Sequence, residues 1–121
     1  MRYVDGFVIP VAKKNLKAYT KMAKEAGKVW MEHGALEFLE CSGDDLNTKF
    51  GLPFTKLAKA KPGETILYSF IIYKSRAHRD RVNAKVMSDP RLKQSMEGKE
   101  MPFDVKRMSY GGFKTLVDMS K

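Results

Sequence analysis

The stretch Thr65 to Tyr73 reads as a strand that is apolar on both sides. Ile66, Tyr68, Phe70 and Ile72 alternate with Leu67, Ile71 and Tyr73. A strand with two apolar faces belongs in a sheet that is covered on both sides. The rest of the chain must therefore supply two covers.

The preceding segments set out what is available. Tyr3 to Val11 alternates as a strand, with Tyr3, Asp5, Phe7, Ile9 and Val11 on one side and Val4, Gly6, Val8 and Pro10 on the other. Lys14 to His33 carries Leu16, Tyr19, Met22, Ala23, Ala26, Val29 and Trp30 at helical spacing, an apolar stripe with its lysines mostly elsewhere. Gly27 weakens that helix, and Gly34 stands where a left-handed C-cap is wanted. Ala35 to Ser42 alternates again as a second strand, and Gly43 to Gly51 reads as a loop.

Pro53 to Ala60 reads as a further strand, because Lys61-Pro62-Gly63-Glu64 suits a type II turn that would make a hairpin. Ser75 is a fitting N-cap for a helix from Arg76 to Met87. Asp89-Pro90 interrupts it, and a short helical piece runs on to Met96. Lys106 to Met119 reads as the last strand, with Gly111-Gly112 marking a bulge or a close approach.

The order strand, helix, strand, extra strand, strand, helix, strand is the ferredoxin-like, split βαβ pattern of the α+β class. Its two helices pack on one face of an antiparallel sheet. The other face is expected to carry Tyr3, Phe7, Ile9, Phe38, Tyr68 and Phe70. A second copy of the chain is the simplest cover for so large an apolar patch. The expected assembly is a homodimer, a dimeric α+β barrel, with residues 1–121 as one domain.

Composition narrows the function classes. With 23 Lys and Arg against 14 Asp and Glu the net charge is +9. The lysines are scattered rather than clustered with aromatics, so nucleic acid is not the expected partner. The single cysteine, Cys41, permits no internal disulfide and favours a reducing compartment. No apolar run is long enough to span a bilayer. A cytoplasmic protein without a membrane partner is expected. His33 and His78 have no second ligand at metal spacing, so no metal or other cofactor is expected. Nucleotide loops and serine–histidine–acid orders are missing too.

Two carboxylates stand out. Asp5 and Glu40 fall among aromatics on the proposed inner face, beside Tyr68. Desolvation there would raise a carboxyl pKa and suit it to acid–base work. Asp5 could otherwise pair with Arg107 or a tyrosine hydroxyl. Asn83 lies on the same helical stripe as Arg79 and Met87, where a polar side chain commonly bonds backbone or a buried carboxylate.

Several blocks are distinctive: Tyr3-Val4-Asp5-Gly6-Phe7, Gly34-Ala35-Leu36, Arg79-Asp80 with Asn83, Val86-Met87-Ser88-Asp89-Pro90-Arg91, Met101-Pro102-Phe103-Asp104, and Tyr110-Gly111-Gly112-Phe113. Through them the chain resembles, nearly end to end, the YbaA-like proteins, a domain-of-unknown-function family in the dimeric α+β-barrel superfamily. The resemblance implies a ferredoxin-like protomer paired through its sheet, and no settled activity. It implies that ligands sit between sheet and helices, as in the superfamily's monooxygenases and lactone isomerases. It adds Tyr110, Asp104, Lys106 and Arg107 to the polar candidates, with Arg107 as an anion partner for a small acidic or phenolic ligand. The candidate ligand-binding set is thus Asp5, Tyr68, Asn83, Arg107 and Tyr110. Some family members carry a label tying them to signal-recognition-particle RNA, which these residues support only through charge. A small apolar or aromatic ligand is the leading expectation. An RNA-associated role and a purely structural or regulatory dimer are the alternatives.

Overall fold

The computed structural model describes residues 1–96 and 100–121. Four strands form one antiparallel sheet: β1 (Tyr3–Ala12), β2 (Glu37–Ser42), β3 (Glu64–Tyr73) and β4 (Ser109–Lys114). Their order is β2-β3-β1-β4. β3 is central, as its two apolar faces require. Each outer strand is reached by a helical crossover: α1 (Leu16–Glu32) joins β1 to β2, and α3 (Arg76–Met87) with α4 (Pro90–Met96) leads from β3 to β4. The expected ferredoxin-like arrangement is therefore present. Among the described residues no helix is long and apolar enough to cross a membrane.

Local chemistry sets the element ends. Ser75 caps α3, its Oγ accepting from the His78 N–H at 3.1 Å. Gly34 has φ +113° just past α1, a conformation that costs a residue with a Cβ. Gly27 is explained by packing: a Cβ there would lie 3.0 Å from the Phe38 ring. The helix gives up some intrinsic stability so that β2 can press its aromatic side chain against it.

The core lies between sheet and helices. Tyr3, Ile71 and Tyr73 pack against Val29 of α1 and Val82 and Val86 of α3. Ile9, Val11 and Leu67 pack against Tyr19 and Ala23. This corrects the expected face assignment. Tyr3, Asp5, Phe7, Ile9, Phe38 and Glu40 lie on the helix-covered side; of the six apolar residues expected on the open side, only Tyr68 and Phe70 are there. Period-two alternation separates two faces without saying which one the helices cover. Partners on the helices break the tie, because α3 carries the groups that meet Asp5.

The open face is still apolar. The register places Val4, Val8, Tyr68, Phe70, Ile72, Leu39 and Phe113 on it. Tyr68 is 49% exposed and Phe113 62%.

Two further expectations are corrected. The segment 53–60 is no strand: Phe54–Leu57 is a single helical turn, α2, which sets Phe54 against Tyr68 at 6.0 Å between ring centroids. The turn at Lys61–Glu64 forms as expected, with Gly63 at φ +84° and the Glu64 N–H bonded to the Lys61 carbonyl. It leads out of that helical turn rather than closing a hairpin. The last strand is also shorter than its pattern. Val105–Arg107 is a helical turn, and the chain leaves the sheet after Lys114. No bulge occurs at Gly111-Gly112, where pairing with β1 is continuous. The close approach is made by side chains, since a Cβ at Gly112 would fall 2.3 Å from the Tyr3 hydroxyl.

Candidate functional site

β1 runs under the helices with Asp5 near its start, paired in register with Ile71 and Gly112. Asp5 is 3% exposed. Its Oδ1 lies 3.6 Å from Nε of Arg79, an ion pair that is too long for a hydrogen bond, and neither atom has another hydrogen-bond partner. Burial pushes the Asp5 carboxyl above its ordinary value, while the Arg79 charge and then the nearby polar groups of Asn83 and Tyr73 pull it back in part.

Around this carboxylate the polar groups are tightly arranged. Asn83 Oδ1 accepts from Trp30 Nε1 and from the Tyr73 hydroxyl, each at 3.2 Å. The Tyr73 phenol is held well above its usual range by burial and then by the Asp5 charge. Arg79 donates to the Tyr3 hydroxyl at 3.1 Å and stacks over its ring at 4.9 Å. Gly112 leaves the space in which Tyr3 and Arg79 meet.

A cavity of about 320 Å³ opens above Asp5. Trp30 and Phe38 form one wall, with centroids 6.1 Å apart. Phe7 and Tyr110 stack at 5.5 Å on another. Phe103, edge-on to Tyr19 at 5.6 Å, narrows a third side. Glu40 also lines the cavity, its carboxylate accepting from the Tyr19 hydroxyl at 2.8 Å. Burial and the Glu40 charge hold the Tyr19 phenol far above its usual range. Tyr19, Phe38 and Glu40 are shared with a larger groove of about 560 Å³ between α1 and the edge strand β2. Apolar cavities with a few convergent polar groups are where small molecules bind.

The structure brings three of the five candidate residues together: Asp5, Asn83 and Tyr110 all line the cavity. Tyr68 lies on the opposite face of the sheet. Arg107 sits at another place again, in a bidentate pair with Glu64 at 2.7 and 2.8 Å, and also donates to the Lys59 carbonyl. The expected alternative partner of Asp5 is thus replaced: Arg79 takes that role. Asp104 caps the turn that carries Arg107, accepting from the Lys106 N–H.

The sequence pattern alone passes over Arg79, Tyr73 and Trp30 as site groups. Arg79 stands four residues before Asn83, one turn away on the same helical face. That spacing is the signal that could have found it.

A four-stranded antiparallel sheet of order β2-β3-β1-β4 with helices on one face defines a ferredoxin-like α+β protein. The solved structures agree on that class. Rv0793 from Mycobacterium tuberculosis matches with a TM-score of 0.59 at 10% identity, over 99% of this chain and 100% of that one. A nipsnap family protein of unknown function from Agrobacterium tumefaciens matches at 0.59 and 14% identity, over 94% and 87%. A dimeric ferredoxin-like protein from an uncultured marine organism matches at 0.52 and 14% identity, over the whole of both chains. The chain belongs to the family described as "Protein of unknown function (DUF1428)", whose model matches residues 2–105. It is 43% identical over 118 residues to the uncharacterized protein YbaA of Escherichia coli K12, covering 98% of this chain and 99% of that protein. The same identity and coverage hold for YbaA of Shigella flexneri.

Proposed function

We propose that this protein binds, and can convert by acid–base chemistry, a small and largely apolar or aromatic molecule held between the sheet and its helices. The observation that carries the reading is the aromatic cavity with Asp5 at its floor. A buried carboxylate in the lining of an aromatic space of ligand size is the convergent polar group that a small-molecule site offers. Burial shifts its pKa upward, the direction that makes a carboxylate a better proton acceptor.

The functional unit in this reading is a homodimer. Its interface is the open sheet face around Tyr68, Phe70 and Phe113, and the dimeric ferredoxin-like neighbour supports a two-chain assembly. The free, exposed thiol of Cys41 supports a reducing, cytoplasmic setting.

Trp30 is the chain's one tryptophan and lines the cavity, so its emission reports occupancy. Titration with para-tert-butylbenzyl alcohol should shift that emission saturably. Ala26→Phe, which fills the cavity from α1, should abolish the response while the fold is retained. An unchanged response in that variant, or none in the wild type, overturns the reading.

A further inference from the structure

Electric charge in the cavity runs against that of the chain. The protein carries a net +9, yet the two ionisable side chains of unlike character to its lining are both acidic: Asp5 at the floor and Glu40 nearer the groove. Among the described lining residues there is no Lys, Arg or His. The nearest cation described is Arg79, whose charge is already shared between Asp5 and Asp80, the latter at 3.5 Å, while its guanidinium donates to Tyr3. Lys24 and Lys28 line the outer groove instead. The remaining walls are aromatic faces, which carry negative electrostatic potential and attract cations.

We propose that the ligand carries a protonated amine, and that Asp5 and Glu40 with the faces of Trp30, Phe38 and Phe7 select an aromatic or arylalkyl ammonium over neutral and anionic analogues. The inference rests on the cavity being a ligand site, as argued above, and adds the charge class of the ligand. An ammonium seated above Asp5 meets a lining carboxylate and the aromatic faces together. A carboxylate in the same place would face two carboxylates with no free cation among the described lining groups, and would lose its hydration without compensation.

The test uses three probes of one shape: para-tert-butylbenzylamine, para-tert-butylbenzyl alcohol and para-tert-butylbenzoate, each titrated against Trp30 emission at neutral pH. The amine should bind at least about tenfold tighter than the alcohol, and the benzoate at least about tenfold weaker, each step being about 1.4 kcal/mol. Asp5→Asn should remove most of the amine's advantage over the alcohol while leaving the alcohol within about twofold. Glu40→Gln, at an exposed position where folding is not at stake, should remove part of the amine preference by itself. An amine that binds no tighter than the alcohol, or a benzoate that binds best, overturns the charge assignment and leaves the cavity reading standing. If none of the three binds, the cavity reading falls and the charge assignment falls with it.

Discussion

Nε of Arg79 lies 3.6 Å from Oδ1 of Asp5, so these two residues of α3 and β1 are joined by charge and not by a hydrogen bond. The pair is 20% exposed on the arginine side chain and 5% on the aspartate. It fixes where α3 crosses β1, and since Arg79 also pairs with Asp80 it offsets the Asp5 charge only in part.

Arg79→Met should therefore strand the Asp5 carboxylate. Breaking one side of a buried pair costs about 3–5 kcal/mol. The sign of the pH dependence follows from the direction of the Asp5 shift. Its folded-state pKa is raised, so folding is favoured while the group is protonated and is penalised as pH rises through the folded pKa. Loss of Arg79 raises that pKa further. The deficit of the variant in urea unfolding should be larger at about pH 8 than at about pH 5. A deficit that shrinks with rising pH would contradict this assignment.

Gly112→Ala tests the space left for the same cluster. The new methyl would meet the Tyr3 hydroxyl at 2.3 Å and an Arg79 nitrogen at 2.8 Å. Overpacking of this kind costs about 1–3 kcal/mol. Tyr3→Phe in the same chain should recover part of the loss, because it removes the closest atom. A double-mutant cycle by thermal unfolding reads the coupling, and strict additivity would show that the two positions do not meet.

At the other end of β1, Glu64 is held down to about 2, first by its hydrogen bonds from Arg107. A depressed carboxylate contributes stability above its ordinary pKa and loses it as pH falls toward the folded value. Glu64→Gln should cost about 1–3 kcal/mol at neutral pH and less as pH falls from about 4.5 toward 2. Acid titration of both proteins, followed by circular dichroism, checks the convergence.

Gly27→Leu should destabilise by about 1–3 kcal/mol despite the better helix propensity of leucine. The side chain would drive into Phe38, whose ring stands 3.0 Å from the nearest point of a Cβ. Phe38→Ala should relieve the crowding, and calorimetry of the single and double variants decides it.

On the open face, Tyr68→Glu places a charge at the centre of the proposed dimer interface. The variant should elute as a monomer in light-scattering chromatography while retaining its circular dichroism, since Tyr68 contributes little to the core. An unchanged dimer would move the interface elsewhere.

Much of the fold was legible in the sequence because it follows from local periodicity. The two-sided apolar run of β3, the stripe of α1, the Ser75 cap and the turn at Pro62-Gly63 each act over a few residues, and all appear in the structure. Where patterns were weak, local reading failed. The segment 53–60 has no decisive period, and contact of Phe54 with Tyr68 accompanies its helical form. The pattern after Lys114 still alternates, yet the chain leaves the sheet there.

The candidate site was legible in part for a related reason. Asp5 and Asn83 stood out because polar residues on apolar stripes need partners. Arg107 entered through the family resemblance and proved to be engaged by Glu64, away from the cavity. Which cation meets which carboxylate depends on contacts across β1 and α3, between residues 74 positions apart in the case of Asp5 and Arg79. The sequence by itself determined most of the elements and their order, since hydrophobic spacing and turn chemistry act locally. Tertiary structure alone decided which sheet face the helices cover, and so whether Asp5 lies in the core cavity or on the open side. Alternation divides a strand into two faces, and only packing of one element on another tells them apart.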